Sequence, residues 1–215
     1  MRITELQLRK QIIATALQMN SIGINRGRSG NVSARWKKGF LVTPSALPYE
    51  ETRPADIVFI DHSGSPRGVR EPSSEWRFHF DIYRHKSAAQ AVVHTHSSFA
   101  TTLACLGMRV PAFHYMVAVA GGNDIRCAPY ATFGTQALSD HAIEALQDRV
   151  ACLLANHGMI ATAGSLKSAL ALAVEVEALC EQYWRALQVG TPNLLADDEM
   201  AVIVEKFTRY NSQVN

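Results

Sequence analysis

Apolar residues recur at helical spacing near the start of the chain, where Leu8, Ile12, Ala16 and Met19 form one stripe. Thr4 and Gln7 have the Ser/Thr-x-x-Glu/Gln pattern of a capping box, so the spacing predicts a helix that opens there and stops near Gly23. The pattern then gives way to Asn25-Arg26-Gly27-Arg28-Ser29-Gly30-Asn31, a loop whose Gly and Asn tolerate unusual backbone angles. Short strands are expected over Phe40–Thr43 and Ile57–Ile60, with a polar turn at residues 61–65. Pro72-Ser73-Ser74 reads as a helix start, after which Trp76, Phe80 and Tyr83 repeat at helical spacing.

Ala91-Val92-Val93-His94-Thr95-His96 reads as a buried strand, followed by a Ser-capped helix from about Ser98 to Leu106. Residues 110–134 are apolar but irregular, with a turn at Gly121-Gly122-Asn123-Asp124. A helix over Gln136–Leu146 leads to a hairpin around His157, and a long helix is expected over Leu166–Val189. Pro192 ends that region before a last amphipathic helix over Asp197–Tyr210. Helices segregated around many short strands predict one mixed α/β layered domain over residues 1–215 rather than a doubly wound one.

Composition narrows the classes. A chain of 215 residues buries about 70% of its unfolded surface and needs no disulfide for stability. The net charge of +2 is interspersed, without the basic stripe of a nucleic-acid binder. No run of 18 apolar residues suggests a membrane span, and Met1-Arg2-Ile3-Thr4-Glu5-Leu6 lacks the apolar core of a signal peptide. The four cysteines have no C-x-x-C spacing and read as reduced core thiols of a cytoplasmic protein. Neither nucleic acid nor membrane is expected as a partner.

The histidines carry the chemistry. Strand side chains alternate faces, so His94 and His96 point the same way, one strand-step apart. His157, beside Gly158 between two apolar runs, can close a metal site from a neighbouring hairpin. Three neutral nitrogen ligands leave Zn²⁺ its full charge and an open position, the catalytic pattern. The plainer reading is a set of satisfied core histidines. Glu75 is expected in the first turn of the helix after Ser73-Ser74, as an acid/base or as a charge favoured by the helix terminus. Ser73 and Ser74 are either anion-binding groups or simple N-caps. Arg28 to Ser33 together with Thr43-Pro44-Ser45 form a plausible phosphate cradle but lack nucleotide-loop spacings. Tyr115, in an apolar segment, is either packing or a proton donor.

Gly30-Asn31-Val32-Ser33, Val42-Thr43-Pro44-Ser45, Pro48-Tyr49-Glu50, Ser73-Ser74-Glu75-Trp76, Val93-His94-Thr95-His96, Pro129 to Gly134 and Asn156-His157-Gly158 occur in this order. Together they resemble the class II aldolase/adducin superfamily, most closely its bacterial L-fuculose-1-phosphate aldolases, from the first helix to Glu205-Lys206-Phe207. The resemblance implies a three-layer α-β-α domain with a central, mainly antiparallel sheet. It also implies a zinc enzyme assembled as a homotetramer, with active sites between subunits. By motif, His94, His96 and His157 would ligate zinc. Glu75 would be the acid/base and a further ligand in the empty site. Gly30, Asn31, Ser45, Ser73 and Ser74 would hold the substrate phosphate. Tyr115 of a neighbouring subunit would donate a proton, and Phe133 and Tyr210 would line the aldehyde side.

Two positions depart from the family pattern. Ser45-Ala46 stands where Thr-Gly is usual, so the hydroxyl is kept but the glycine's freedom is lost. Asp124 follows the Gly-Gly-Asn turn, near an Asp that moves protons in related L-ribulose-5-phosphate 4-epimerases. Those epimerases resemble Ser-Ser-Asp at the helix start, whereas this chain has Glu75, which favours an aldolase. The implied reaction is cleavage of a ketose 1-phosphate, L-fuculose 1-phosphate by default, to dihydroxyacetone phosphate and an aldehyde such as lactaldehyde. Alternatives are 5-deoxyribulose or 5-methylthioribulose 1-phosphate as substrate, an epimerase, and an adducin-like scaffold without catalysis.

Overall fold

The structure, a computed structural model, describes residues 3–214, with side chains described as far as Arg209. Eight strands form one sheet in the order β4-β3-β2-β1-β5-β8-β7-β6. They are β1 (Asn31–Trp36), β2 (Gly39–Val42), β3 (Val58–Asp61), β4 (Pro66–Arg67), β5 (Ala91–Thr95), β6 (Cys127–Ala128), β7 (Ala151–Leu154) and β8 (Gly158–Ala163). Every pairing is antiparallel except β6 with β7. The helices are α1 (Glu5–Ser21), α2 (Trp76–His85), α3 (Ser98–Cys105), α4 (Gln136–Ala145), α5 (Leu166–Val189) and α6 (Asp197–Val214). The mixed α/β, layered, mainly antiparallel architecture expected from the sequence is the one observed.

The alternation of strand side chains divides the core in two. Val32, Ala91, Val93, Leu153 and Met159 pack with α1, α3 and α5 on one face. Phe40, Val92, Cys152, Leu154 and Ile160 pack with α2 and α4 on the other. His94, two residues after Val92, joins the second face and meets Phe78 of α2 edge-on at 5.3 Å between ring centroids. Asn31 is the cross-strand partner of His94, so β1 delivers its side chain to the same face.

The capping box of α1 forms between Thr4 and Gln7, and Leu8, Ile12, Ala16 and Met19 are buried as the stripe predicts. The bounds of α5 match the expectation from the sequence. Other expectations need correction. The segment from Asn31 is strand β1, because it pairs with both β2 and β5. The helix after Ser73-Ser74 begins only at Trp76, so Glu75 is its N-cap residue rather than part of the first turn, and its side chain makes no capping hydrogen bond. Helix α3 is not capped by a serine side chain. The Glu177 carboxylate of α5 accepts from the N–H groups of Phe99 and Ala100, and from Ser97 Oγ. Cys105 is exposed and Cys127 half-buried, leaving only Cys152 and Cys180 as core thiols.

Candidate active site and metal centre

Four side chains converge where β5, the β7–β8 turn and the start of α2 meet. One ligand atom from each of Glu75, His94, His96 and His157 lies within 4.8 Å of all the others. His96 falls just past the end of β5 but keeps the strand's alternation, and its Nε2 stands 3.0 Å from that of His94. His157 arrives on a tight turn in which Asn156 has a left-handed backbone, φ +56°. Gly158 makes the approach possible: a Cβ there would come within 2.5 Å of the Thr95 carbonyl oxygen and 2.9 Å of the His96 ring. Similarly, a Cβ on Gly30 would lie 2.5 Å from the His94 carbonyl oxygen.

Glu75 reaches across this cluster. Its Oε2 lies 3.1 Å from His94 Nε2 and its Oε1 2.9 Å from His157 Nε2. Burial, the largest influence, pushes this carboxyl up, but the attraction of His94 and His157 outweighs it and holds it well below the usual carboxylate range. Burial, reinforced by His94 and His157, pushes His96 down to about 3 and keeps it neutral. His94 Nδ1 lies 2.8 Å from the Met159 carbonyl oxygen, to which it donates, so Nε2 is the ring atom turned to the cluster.

This donor set fits a divalent cation. Glu75 Oε1 is buried and turned to His157 Nε2, and the Nε2 atoms of His94 and His96 face each other at hydrogen-bond distance. A cation among them would satisfy the oxygen and the converging lone pairs together, and neutral imidazoles with a carboxylate are ordinary ligands for such an ion.

A cavity of about 630 Å³ opens over the cluster. Glu75, His96 and His157 line its buried end, with His94 fully buried behind them. Ser74, Phe133 and Ala46 line its outer part, together with Arg28 and Ser29 of the expected phosphate cradle and with Arg26, Tyr130, Ala131 and Asn156, to which the sequence reading gave no role. The two arginines were legible as charges in a Gly-rich loop, but nothing local aims that loop at residues more than forty positions away. Ser73 is buried, and its Oγ accepts from the Glu75 N–H. Ser45 is exposed and its N–H is bonded to the Glu71 carbonyl. The Asn31 side chain is committed to Glu75, its Nδ2 donating to Oε2 at 2.9 Å. Ala46 adopts a left-handed backbone, φ +58°, and its carbonyl accepts from Arg28 Nη1 at 2.7 Å.

One expected group stands apart. Tyr115, 51% exposed, stacks on Phe207 of α6 and does not line the cavity. Tyr210 falls in α6, but its side chain lies outside the described residues. Asp124 is buried and held by Arg149 at 2.8 Å, with Arg109 and Arg126 within 4 Å, so its carboxylate is occupied by structural ion pairs.

Comparison with known proteins agrees with this geometry. Residues 10–184 match the family described as Class II Aldolase and Adducin N-terminal domain. A 5-methylthioribulose-1-phosphate/5-deoxyribulose-1-phosphate aldolase of Rhodospirillum rubrum is 56% identical over 96% of this chain and 94% of its own. The L-fuculose phosphate aldolase of Escherichia coli K12 is 47% identical over 97% of each chain. A solved L-fuculose 1-phosphate aldolase superposes with a TM-score of 0.91 at 39% identity, covering 94% of this chain and 96% of its own. The chain belongs to the class II aldolase and adducin family, and within it to the enzymes, the aldolases. Among the described residues no helix is long and apolar enough to cross a membrane.

Proposed function

We propose that the protein is a zinc-dependent aldolase that reversibly cleaves a ketose 1-phosphate into dihydroxyacetone phosphate and an aldehyde. The convergence of His94, His96, His157 and Glu75 at the buried end of a cavity with two arginines at its rim carries this reading. His94, His96 and His157, with Glu75 as a further ligand before substrate arrives, would hold the cation. When bound, a divalent cation supplies Lewis-acid stabilisation of the charge that develops on oxygen, worth several kcal/mol.

The chain's own groups do the rest. The phosphate end lies towards Ser74 and the loop where Arg26 and Arg28 add positive charge, with Ser73, Ser45, Gly30 and Asn31 assigned to it by motif. Anchoring this non-reacting end orients the C3–C4 bond over the cluster. In the cleavage direction the C4 hydroxyl loses its proton, the C3–C4 bond breaks, and its electron pair stays with the dihydroxyacetone phosphate half. Glu75, ionised at rest, takes up one proton from solvent at the open cavity and delivers it to C3, while the C4 hydroxyl proton returns to solvent, and synthesis reverses both transfers. Tyr115 of a neighbouring subunit exchanges the hydroxyl proton of the aldehyde half. Its exposure and its place outside the cavity suit a role in a second copy's site, so we read the active unit as a homotetramer.

Among substrates, 5-methylthioribulose and 5-deoxyribulose 1-phosphates rank first, because the 56% identical relative carries that name. L-Fuculose 1-phosphate, the default from the motifs, ranks second on the 47% identical relatives. Phe133, Tyr130 and Ala131 offer an apolar wall for a methyl or methylthio end. A single methylene there is worth only about 1–3 kcal/mol, so overlap between these substrates is expected. The test is aldehyde release from a panel of ketose 1-phosphates and one unphosphorylated ketose. Dihydroxyacetone phosphate from the two pentulose phosphates at the highest kcat/KM supports the ranking. Epimerised product without aldehyde, or equal cleavage of the unphosphorylated sugar, would overturn it.

A further inference from the structure

Behind Glu75 runs a buried chain of polar groups that the reaction as described does not use. Tyr83 OH lies 2.8 Å from Ser33 Oγ, which lies 2.7 Å from His79 Nδ1. His79 Nε2 lies 2.5 Å from Asn31 Oδ1, and Asn31 Nδ2 lies 2.9 Å from Glu75 Oε2. His79 and Ser33 are fully buried, and Asn31 and Tyr83 nearly so. The His79 ring stacks on Phe78, with centroids 4.6 Å apart, and has no surface open to bulk solvent.

The chemistry of these groups allows one arrangement of protons. An ionised carboxylate only accepts, so Asn31 must turn its amide nitrogen to Glu75 and its carbonyl oxygen to His79. That oxygen also only accepts, so His79 carries its proton on Nε2. Its Nδ1 is then an acceptor and takes the Ser33 hydroxyl proton, which leaves Ser33 Oγ to accept from Tyr83. The array is a one-way line of donors that ends on Glu75 Oε2. Burial, the leading cause, pushes His79 down to about 3 and raises Tyr83, so one stays a neutral imidazole and the other a protonated donor.

We propose that His79 is a positioning residue for catalysis: through Asn31 it ties down Oε2 of Glu75 and so leaves Oε1, which faces the cluster beside His157 Nε2, to carry the proton. The inference rests on the reading that Glu75 moves the proton at C3. His79→Phe keeps the packing between Phe40 and Phe78 and deletes the donor. His79→Gln keeps an N–H that can reach Asn31. Tyr83→Phe removes only the far end of the array.

The experiment measures kcat, KM and bound metal for these three proteins and for Glu75→Gln. His79→Phe should lower kcat by about 10–100-fold with KM within about twofold and metal content unchanged, the usual range for removing an orienting partner. His79→Gln should recover most of that loss, and Tyr83→Phe should cost about threefold. If Glu75→Gln is crippled while His79→Phe keeps its kcat, the positioning role falls and the aldolase reading stands. If Glu75→Gln keeps its rate, the role of Glu75 falls and the inference with it. Equal losses in His79→Phe and His79→Gln would reduce His79 to packing. Should His79→Phe fail to fold, Tyr83→Phe and Ser33→Ala decide, and unchanged kcat in both would overturn the proposal.

Discussion

The buried end of the cavity and its rim are built on opposite principles. At the buried end, side chains leave regular strands or their immediate ends, and nearly every polar atom has a partner on the sheet or α2. At the rim, Arg28, Ser29, Ala46, Ser74, Tyr130 and Phe133 stand on loops and are exposed, with Phe133 at 63%. The difference separates two tasks. Groups that share a cation and a proton must hold their positions closely, which strands and buried hydrogen bonds provide. Groups that select the ends of a sugar phosphate need reach and tolerance, which loops provide.

The comparison can be broken most severely at the buried end. His94→Ala/His96→Ala should lose the metal and lower kcat/KM by about 10³-fold or more, because several kcal/mol of charge stabilisation goes with the ion. Full metal occupancy in that protein, by elemental analysis, would remove these residues as ligands. Glu75→Gln should cut kcat by about 10²-fold while most of the metal stays in place.

Acid probes the same region without mutation. His79 and His96 are both pushed down to about 3 in the folded chain, below an unfolded value of about 6.5. Their contribution to stability is complete above about pH 6.5 and is lost as pH falls towards 3, since the unfolded chain takes up protons first. Melting temperature should therefore decline steadily across that window, and metal should leave within it, because protonated imidazole does not ligate. A melting temperature flat from pH 6.5 to 4 would contradict the burial of these two rings.

At the rim, effects should be smaller and confined to binding. Arg28→Ala should raise KM by about tenfold with kcat little changed, the loss of one charge-assisted contact. A matching fall in kcat would place Arg28 in the chemistry instead. Smallest of all, Ala46→Gly should raise stability by up to about 1 kcal/mol, since alanine is strained in the left-handed region it occupies. Denaturant titration would detect this gain, and a loss would mean the loop benefits from alanine's stiffness.

Legibility in the sequence followed the range of the interactions involved. The α1 capping box and the α5 bounds are local, and both were readable from residues within a few positions of each other. The His94–His96 pair was readable because strand alternation is local too. Strand β1 was not, since Asn31–Trp36 mixes polar and apolar residues and its identity comes from pairing with β5, about sixty positions on. Asn31 was assigned to the phosphate by motif, yet its amide is spent on Glu75, forty-four positions away, and on His79. Arg28 was read into the phosphate cradle, but Arg26 was visible only as a charge, because only the folded chain shows where their loop lands.

The sheet has one further consequence, at its margins. An exposed strand edge is a template for another chain, and long flat edges invite runaway polymerisation. Here both outermost strands are only two residues long. β4 at one margin is Pro66–Arg67, where proline has no N–H to offer and arginine brings charge. β6 at the other margin is Cys127–Ala128, which packs one face on α4. With margins this short the sheet offers little edge to a further strand, so copies of this chain that meet are expected to do so through helices and loops, by surfaces that can be specific without being contagious.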